Sequence, residues 1–399
     1  MDAFESDIPR IPDYSLSEKE FLLKKNFGYD KKVIQEALLD AIKKDKLAPY
    51  YRHLHEELPD FPFDEALYNK IDKENKEHIA KLEQKITEAS DEEEADLDLY
   101  SCQLELAHYY TKICDRKNAV EALKRASELT QSTGSKIDIY LTLIRIDFFF
   151  EDYFLASKNL EQIKTLIDKG GDWERRNRYK TYHGIYLMAT RNFSEAAKLL
   201  IDSLATFTST ELCSYEQVTQ YAVVSGILSL DRLDLKAKVI DSPEILSIST
   251  STQELEPLLN LTNSLYTCQY NYLFQYLLES YDKSLLPNKY LHKHADYILR
   301  EMRCKAYGQL LESYKSLSLS SMAKSFNVSE AFLDEDLCRF IPNKKLNCTI
   351  DSVNGIIITN RPDNKNNQYH QFIKQGDNLL TKLQKYAAAV KLSGAERVA

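Results

Sequence analysis

Apolar residues recur at three- and four-residue spacing along most of the chain, and each such run predicts an amphipathic helix. Two helices are expected between Ser17 and about Lys46, broken near Gly28-Tyr29-Asp30. The second carries the stripe Val33, Ile34, Ala37, Leu38, Ala41 and Ile42. Residues 1–16, with Pro9, Pro12 and several acids, show no period and read as a flexible acidic arm. Pro49, Pro59 and Pro62 punctuate the next stretch. Glu65 to Ala89 then predicts one long charged helix with Leu67, Ile71, Ile79, Leu82 and Ile86 as sparse apolar positions. These N-terminal helices occupy residues 17–90. The acidic run Asp91-Glu92-Glu93-Glu94 reads as a solvated linker into a helix N-terminus, where negative charge is favoured.

Residues 91–299 read as helical repeats. A segment rich in aromatics ends at Asp115 and is followed by Asn118-Ala119; another ends at Asp152, followed by Leu155-Ala156. A third, His183-Gly184-Ile-Tyr-Leu-Met-Ala, ends at Asn192 before Glu195-Ala196-Ala197. Ala119, Ala156 and Ala196 are 37 and 40 residues apart. Each unit therefore predicts a helix, a tight polar turn, and a second helix whose small residue permits close approach. That is the logic of tetratricopeptide-like solenoids, at a slightly longer period. Between two units lies Lys169-Gly170-Gly171-Asp172-Trp173-Glu174-Arg175-Arg176-Asn177-Arg178. Its glycines stop one helix, Asp172 is placed to cap the next, and Trp173 is expected to pack back on it. The cluster Arg175, Arg176 and Arg178 reads as ion pairing or a partner's carboxylate contact, with a phosphate site as the alternative.

The C-terminal part changes character. Arg300 to Tyr314 predicts a helix, Ser318 to Asn327 a short one, and Ser329 caps a third from Glu330 to Ile341 with Phe332, Leu333, Leu337 and Phe340 inward. Leu346 to Ile350 and Ile356 to Thr359 read as two strands joined across Asn354-Gly355. Helix, turn, helix and hairpin make a winged helix over residues 300–362, with preceding repeats from about residue 190 completing the module. The last region, 363–399, is one bundle helix. Tyr369, Phe372, Gly376, Leu379, Leu383, Tyr386 and Val390 fall on alternating a and d positions, and Ile373, Leu380 and Ala387 widen the seam. This helix either folds back on its own chain or joins helices of partner subunits. The predicted fold class is all-α with a small β-hairpin: a TPR-like solenoid, a winged helix and a C-terminal bundle helix. The predicted interaction residues are Tyr369, Phe372, Ile373, Leu379, Leu380, Leu383, Tyr386 and Val390 on that helix. On the wing hairpin they are Leu346, Cys348, Ile350, Ile356 and Ile358.

Composition narrows the function. There are 10 glycines among 399 residues, where average usage gives roughly 28. That disfavours Gly-rich nucleotide folds and β-sandwiches, and implies few turns with positive φ. No apolar run approaches the roughly 18 residues of a membrane span. The acidic start carries no secretory or transit pattern. The seven cysteines (Cys102, Cys114, Cys213, Cys268, Cys304, Cys338 and Cys348) never form C-x-x-C, so neither a disulfide framework nor structural zinc is expected. These features suit the cytoplasm and nucleus. The net charge is −9, although residues 300–399 hold 15 Lys and Arg against 10 Asp and Glu. The second winged-helix helix nonetheless carries Glu330, Asp334, Glu335 and Asp336 against Arg339, which would repel phosphate, so no nucleic acid is expected. No phosphate loop or nucleophile elbow occurs. After the pairs His53/His55 and His292/His294, the serine that a metal-dependent isopeptidase requires is replaced by Phe63 and Met302. No catalytic, cofactor-binding or metal-binding residue is assigned, and the chain is read as not an enzyme.

Helical repeats running into a winged helix resemble the PCI-domain family, shared by the proteasome lid, the signalosome and translation-initiation scaffolds. Five stretches carry a closer likeness: Leu47-Ala-Pro-Tyr-Tyr51, Gly170-Gly-Asp-Trp-Glu-Arg-Arg-Asn-Arg-Tyr-Lys180, Phe207-Thr-Ser209, Leu310-Leu-Glu-Ser-Tyr314 and Asn360-Arg-Pro-Asp-Asn-Lys365. They resemble, in order, the family of the seventh non-ATPase subunit of the 26S proteasome regulatory particle, in its fungal form. The resemblance implies a non-catalytic scaffold subunit of the lid that supports its assembly and the positioning of the deubiquitinase. Its implied partners are other PCI and MPN subunits, including the deubiquitinase, and the ATPase ring. The paralogous signalosome scaffold subunit and a nucleic-acid-binding PCI adaptor are the alternatives.

Overall fold

The computed structural model describes residues 9–25, 27, 30–91, 96–249, 252, 255–360 and 364–395. The chain divides after Met302 into two compact units. Helices α1 (Tyr14–Lys25), α2 (Lys31–Asp45), α3 (Ala48–Glu57) and α4 (Glu65–Asp91) open the first. Asp30 caps α2 by accepting from Lys32 N–H; Gly28 and Tyr29 of the expected break lie outside the described residues. Leu38 and Ile42 of the α2 stripe are fully buried beside Tyr50, Tyr51 and Leu54. Val33, at the edge of that stripe, is exposed. The arm is shorter than its lack of period suggests. Helix α1 begins already at Tyr14, and the Pro9 carbonyl accepts from Arg145 Nη1 at 2.9 Å.

Helical hairpins follow: α5 (Asp96–Lys112) with α6 (Arg116–Leu129), α7 (Thr133–Phe149) with α8 (Tyr153–Gly170), and α9 (Trp173–Ala189) with α10 (Phe193–Leu204). The same turn joins each pair. Cys114, Glu151 and Arg191 take left-handed backbone, with φ of 59°, 57° and 69°. The next N–H then reaches back five residues: Asp115 to Tyr110 O, Asp152 to Asp147 O and Asn192 to Leu187 O, at 2.8–3.0 Å. That closure satisfies carbonyls the helix end would leave orphaned. The side chains of Asp115, Asp152 and Asn192 then accept from Asn118, Leu155 and Glu195 N–H, opening the second helix. One residue thus completes one helix end and caps the next.

Beyond α10 come α11 (Tyr215–Ser229), α12 (Arg232–Leu235), α13 (Pro243–Ser249), α14 (Glu256–Tyr266) and α15 (Tyr270–Ser280). The α14–α15 turn repeats the backbone closure at Cys268 (φ 61°), with Gln269 N–H bonded to Ser264 O at 2.9 Å, but without a side-chain cap. The glycine count therefore misleads about turns. Seven non-glycine residues among those described have positive φ, and each ends a helix or turn.

Close packing follows from small residues. Ala119, Ala156 and Ala196 are all buried. A Cβ added to Gly184 would stand 2.8 Å from the Leu200 side chain, so α9 and α10 touch there. Lys289 ties distant segments of this unit together. Its buried ammonium donates to Ser17 Oγ on α1, and to Phe148 O and Phe149 O at 3.2 and 2.8 Å. It thereby caps the negative end of α7. Burial pushes its pKa down to about 8.

Helix α16 (Ala295–Ser313) leads into β1 (Ser316–Ser318), α17 (Leu319–Phe326), α18 (Glu330–Phe340), β2 (Cys348–Asp351), β3 (Ile356–Thr359) and α19 (Asn364–Ala395). Ser318 and Ser329 cap α17 and α18, and Asn327 turns left-handed between them. Tyr307 meets the Phe326 ring edge-on at 5.0 Å, and Leu333, Leu337, Phe340 and Ile357 complete that core. Phe332 does not join it: it is 40% exposed, with the Arg303 guanidinium over its ring. The sheet is a three-stranded antiparallel one in the order β1-β3-β2 rather than a hairpin. The all-α architecture with a small sheet agrees with the sequence pattern.

Ala156→Leu is expected to overpack its helix crossing and cost about 1–3 kcal/mol. Thermal or urea unfolding checks it; an unchanged midpoint would show that the crossing has room and that the register is misplaced.

Candidate protein-interaction site

The winged helix offers a sheet edge. Bonds from Thr359 N to Lys315 O and from Leu319 N to Gly355 O aim odd-numbered β3 residues at β1. Asn360 N bonds to Asn347 O, so even-numbered β3 residues face β2. Given the register Thr349↔Ile358 and Ile350↔Ile357, Thr349 points its backbone groups into the sheet. Cys348 and Ile350 point theirs outward along the β2 edge. Strand β3 lies between two partners, so the edge available to another chain belongs to β2, or to the short β1.

The predicted wing residues divide by side. Leu346 and Cys348 are buried, and Ile350 pairs with the fully buried Ile357 on the same face. These three side chains pack the module's own core. Strand β2 begins at Cys348, so Leu346 precedes it. Ile356 is half-buried and Ile358 is 41% exposed on the opposite face. The sequence did not reveal β1, because Ser-Leu-Ser is too short and polar to signal a strand. Nor did it distinguish Asp336 from its acidic neighbours. Asp336 is buried and takes Arg303 Nη1 at 2.8 Å and the Tyr307 hydroxyl at 3.3 Å. Burial raises its pKa while Arg303 opposes the shift. It locks α18 to α16 and is no part of the acidic surface; Glu335 is, paired with Arg339 along the helix.

Helix α19 is the second surface. Every described side chain from Lys365 to Lys391 is exposed. Tyr369, Phe372, Ile373, Leu379, Leu380, Leu383, Tyr386 and Val390 are 51–76% exposed. A Cβ at Gly376 would meet nothing within 4 Å. The apolar seam therefore faces water along its length.

The arginine cluster resolves into internal pairs. Arg175 clasps Asp138 through Nε and Nη2 at 3.0 and 2.7 Å and also binds Asp172. Asp172 occupies the cap position of α9, but its carboxylate turns to Arg175 instead of the helix N–H groups. Arg178, buried, pairs with Glu174 at 2.6 Å. Arg176 is exposed, and Trp173, expected to pack back, is 64% exposed. Among the described residues, no group of three His, Cys, Asp or Glu is placed to hold a metal ion. No helix there is long and apolar enough to cross a membrane.

Helical hairpins followed by a winged helix with an open sheet edge and an exposed apolar helix define a PCI-type scaffold. The PCI domain model matches residues 278–361. The model described as 26S proteasome subunit RPN7 matches residues 64–238, and that of the RPN7/PSMD6 C-terminal helix matches 368–390. The 26S proteasome regulatory subunit RPN7 of Saccharomyces cerevisiae is 51% identical, covering 98% of this chain and 96% of that protein. The Schizosaccharomyces pombe rpn7 subunit is 44% identical over 97% of the chain and 98% of its own length. COP9 signalosome complex subunit 1 of Arabidopsis thaliana is 27% identical over 48% of the chain. The chain belongs to the RPN7 family of 26S proteasome regulatory subunits.

Asp336→Ala leaves Arg303 without its buried partner and is expected to cost about 3–5 kcal/mol. Glu335→Ala, breaking an exposed pair, is expected to cost under about 1 kcal/mol. Chemical denaturation of both variants compares them; equal losses would refute the structural role of Asp336.

Proposed function

We propose that this chain is a non-catalytic scaffold of the proteasome regulatory lid, supporting lid assembly and the positioning of its deubiquitinase for ubiquitin-dependent degradation. The observation that carries the reading is the exposed apolar seam of α19. Such a helix is marginal alone, and packing of its apolar face supplies most of its stability. The other PCI and MPN subunits of the lid are the proposed source of that packing, with the ATPase ring as a neighbour, in cytoplasm and nucleus. The signalosome reading is weaker, because its subunit matches only half of the chain while the proteasomal relatives match nearly all. A tagged chain should co-purify ATPase-ring subunits; recovery of cullins in their place would favour the signalosome.

Leu379→Asp with Leu383→Asp places two charges in the seam. Burying an unpaired charge is costly enough to exclude the helix from a packed bundle. Both positions are more than half exposed in the free chain, so its circular-dichroism melt should be nearly unchanged while incorporation into the lid collapses. Normal incorporation would sink the proposal, and an early melt would support a folded-back helix.

The open edge of β2 is the proposed site of strand pairing with a neighbouring subunit. Ile350→Pro removes an outward N–H and leaves the β2–β3 bonds through Thr349 and Asp351 in place. Assembly should weaken while the chain stays folded; wild-type assembly would argue that another surface makes the contact.

A further inference from the structure

Two arginines in the first compact unit stand over one aromatic ring. The guanidinium carbon of Arg191 lies 4.9 Å from the centre of the Tyr297 ring, and that of Arg300 lies 5.5 Å from it. Arg191 is the left-handed residue of the α9–α10 turn; Tyr297 and Arg300 belong to the start of α16. The arrangement is anchored from inside. Tyr297 stacks on the buried Phe193 ring, with 6.1 Å between centres and 10° between planes. Arg191 Nε donates to His294 Nδ1 at 3.3 Å. The buried His294 places Nε2 2.7 Å from Ala189 O, which can only accept, so Nε2 carries the ring proton and Nδ1 accepts from Arg191. Both guanidiniums are thereby held over the ring by cation–π attraction, with their side chains exposed.

The charge balance selects the ligand. Arg116, Arg175 and Arg178 are each paired with a carboxylate of the chain, and so is Lys293, beside His294. Arg191 has no carboxylate partner among the described residues and keeps both Nη groups free. Arg300 has Glu301 at 3.9 Å from its Nε, the outer limit of an ion pair, and its Nη groups are free as well. Two like charges fixed beside one ring repel each other, and anionic groups from outside relieve that repulsion. The surroundings favour carboxylates over phosphate. The adjacent N-terminus of α10 is already capped by Asn192, so it adds no converging backbone donors of the kind phosphate sites use. The half-buried Tyr297 ring between the two cations suits the methylene stem of an acidic side chain better than a fully hydrated anion.

We propose that Arg191, Tyr297 and Arg300 form a third docking surface, beside the β2 edge and α19, for an acidic peptide segment of a partner protein, with one carboxylate on each guanidinium. The test is fluorescence anisotropy of a labelled hexaglutamate peptide titrated with the full-length chain, with hexaglutamine as control. The chain carries a net charge of −9, so indiscriminate attraction of a polyanion is not expected. Hexaglutamate should bind saturably and more weakly as salt rises, and hexaglutamine should not bind. Arg191→Gln and Arg300→Gln should each weaken binding on the order of tenfold, and the double variant should abolish it. Lys374→Gln with Lys385→Gln, on the exposed α19, should leave it unchanged. If Arg191→Gln does not fold, Arg300→Gln, at an exposed position, still decides. Absence of saturable hexaglutamate binding, undiminished binding by the arginine variants, or loss only in the lysine variant would overturn the proposal. Displacement of the peptide by an equal concentration of inorganic phosphate would overturn it too, by making this a phosphate site. The assay needs no other lid subunit, so its failure would leave the reading of α19 standing.

Discussion

The repeats depend on a turn that must end one helix and start another without a spacer. A left-handed residue closes the first helix, and the residue after it both reaches back to an orphaned carbonyl and caps the second. At Cys114, Glu151 and Arg191 the left-handed residue carries a Cβ, at a local cost of about 1 kcal/mol. The cap at Asp115, Asp152 or Asn192 offsets about that much. The geometry holds antiparallel helices together at the turn, and Ala119, Ala156, Ala196 and Gly184 keep them close further along. Remaining apolar faces then pack on the next hairpin, because one hairpin cannot bury its own.

That economy is absent from the two surfaces assigned to assembly. The β2 edge ends the sheet with outward backbone groups at Cys348 and Ile350, and α19 presents apolar side chains to water over three heptads. Elsewhere, two buried charged groups reach partners far along the chain. Lys289 gathers Ser17 and the end of α7, and Asp336 gathers Arg303 and Tyr307. A helix-long apolar seam left outside is what we propose partner subunits cover.

Much of this was legible in the sequence because it rests on local chemistry. The period of apolar residues placed the helices, Ser329 placed the start of α18, and the recurring alanines are buried. The family likeness lay in contiguous motifs such as Gly170-Gly-Asp-Trp173. What was not legible depends on pairing across the chain. Three residues, Ser316–Ser318, become a strand only because Ile356–Ile358 lie alongside. Asp336 looks like its acidic neighbours until Arg303 is beside it. The arginine cluster predicts ion pairing or a partner's carboxylate, but that Arg175 pairs with Asp138, 37 residues earlier, is not visible along the chain. Trp173 and Phe332 were expected inward from their type alone, and aromatic character does not set direction on a helix. The wing residues were assigned together because strand alternation tells two faces apart without saying which one is core.

The central claim is that the α19 seam is an interface waiting for partner helices rather than a misplaced core. Amide hydrogen exchange over residues 369–390 tests it most directly, compared between the isolated chain and the same chain in purified lid. The account predicts rapid exchange in the isolated chain, since an unpacked helix opens with little free-energy cost, and strong protection in the lid. Equal protection in both states would show that α19 is already packed within its own chain and would contradict the account.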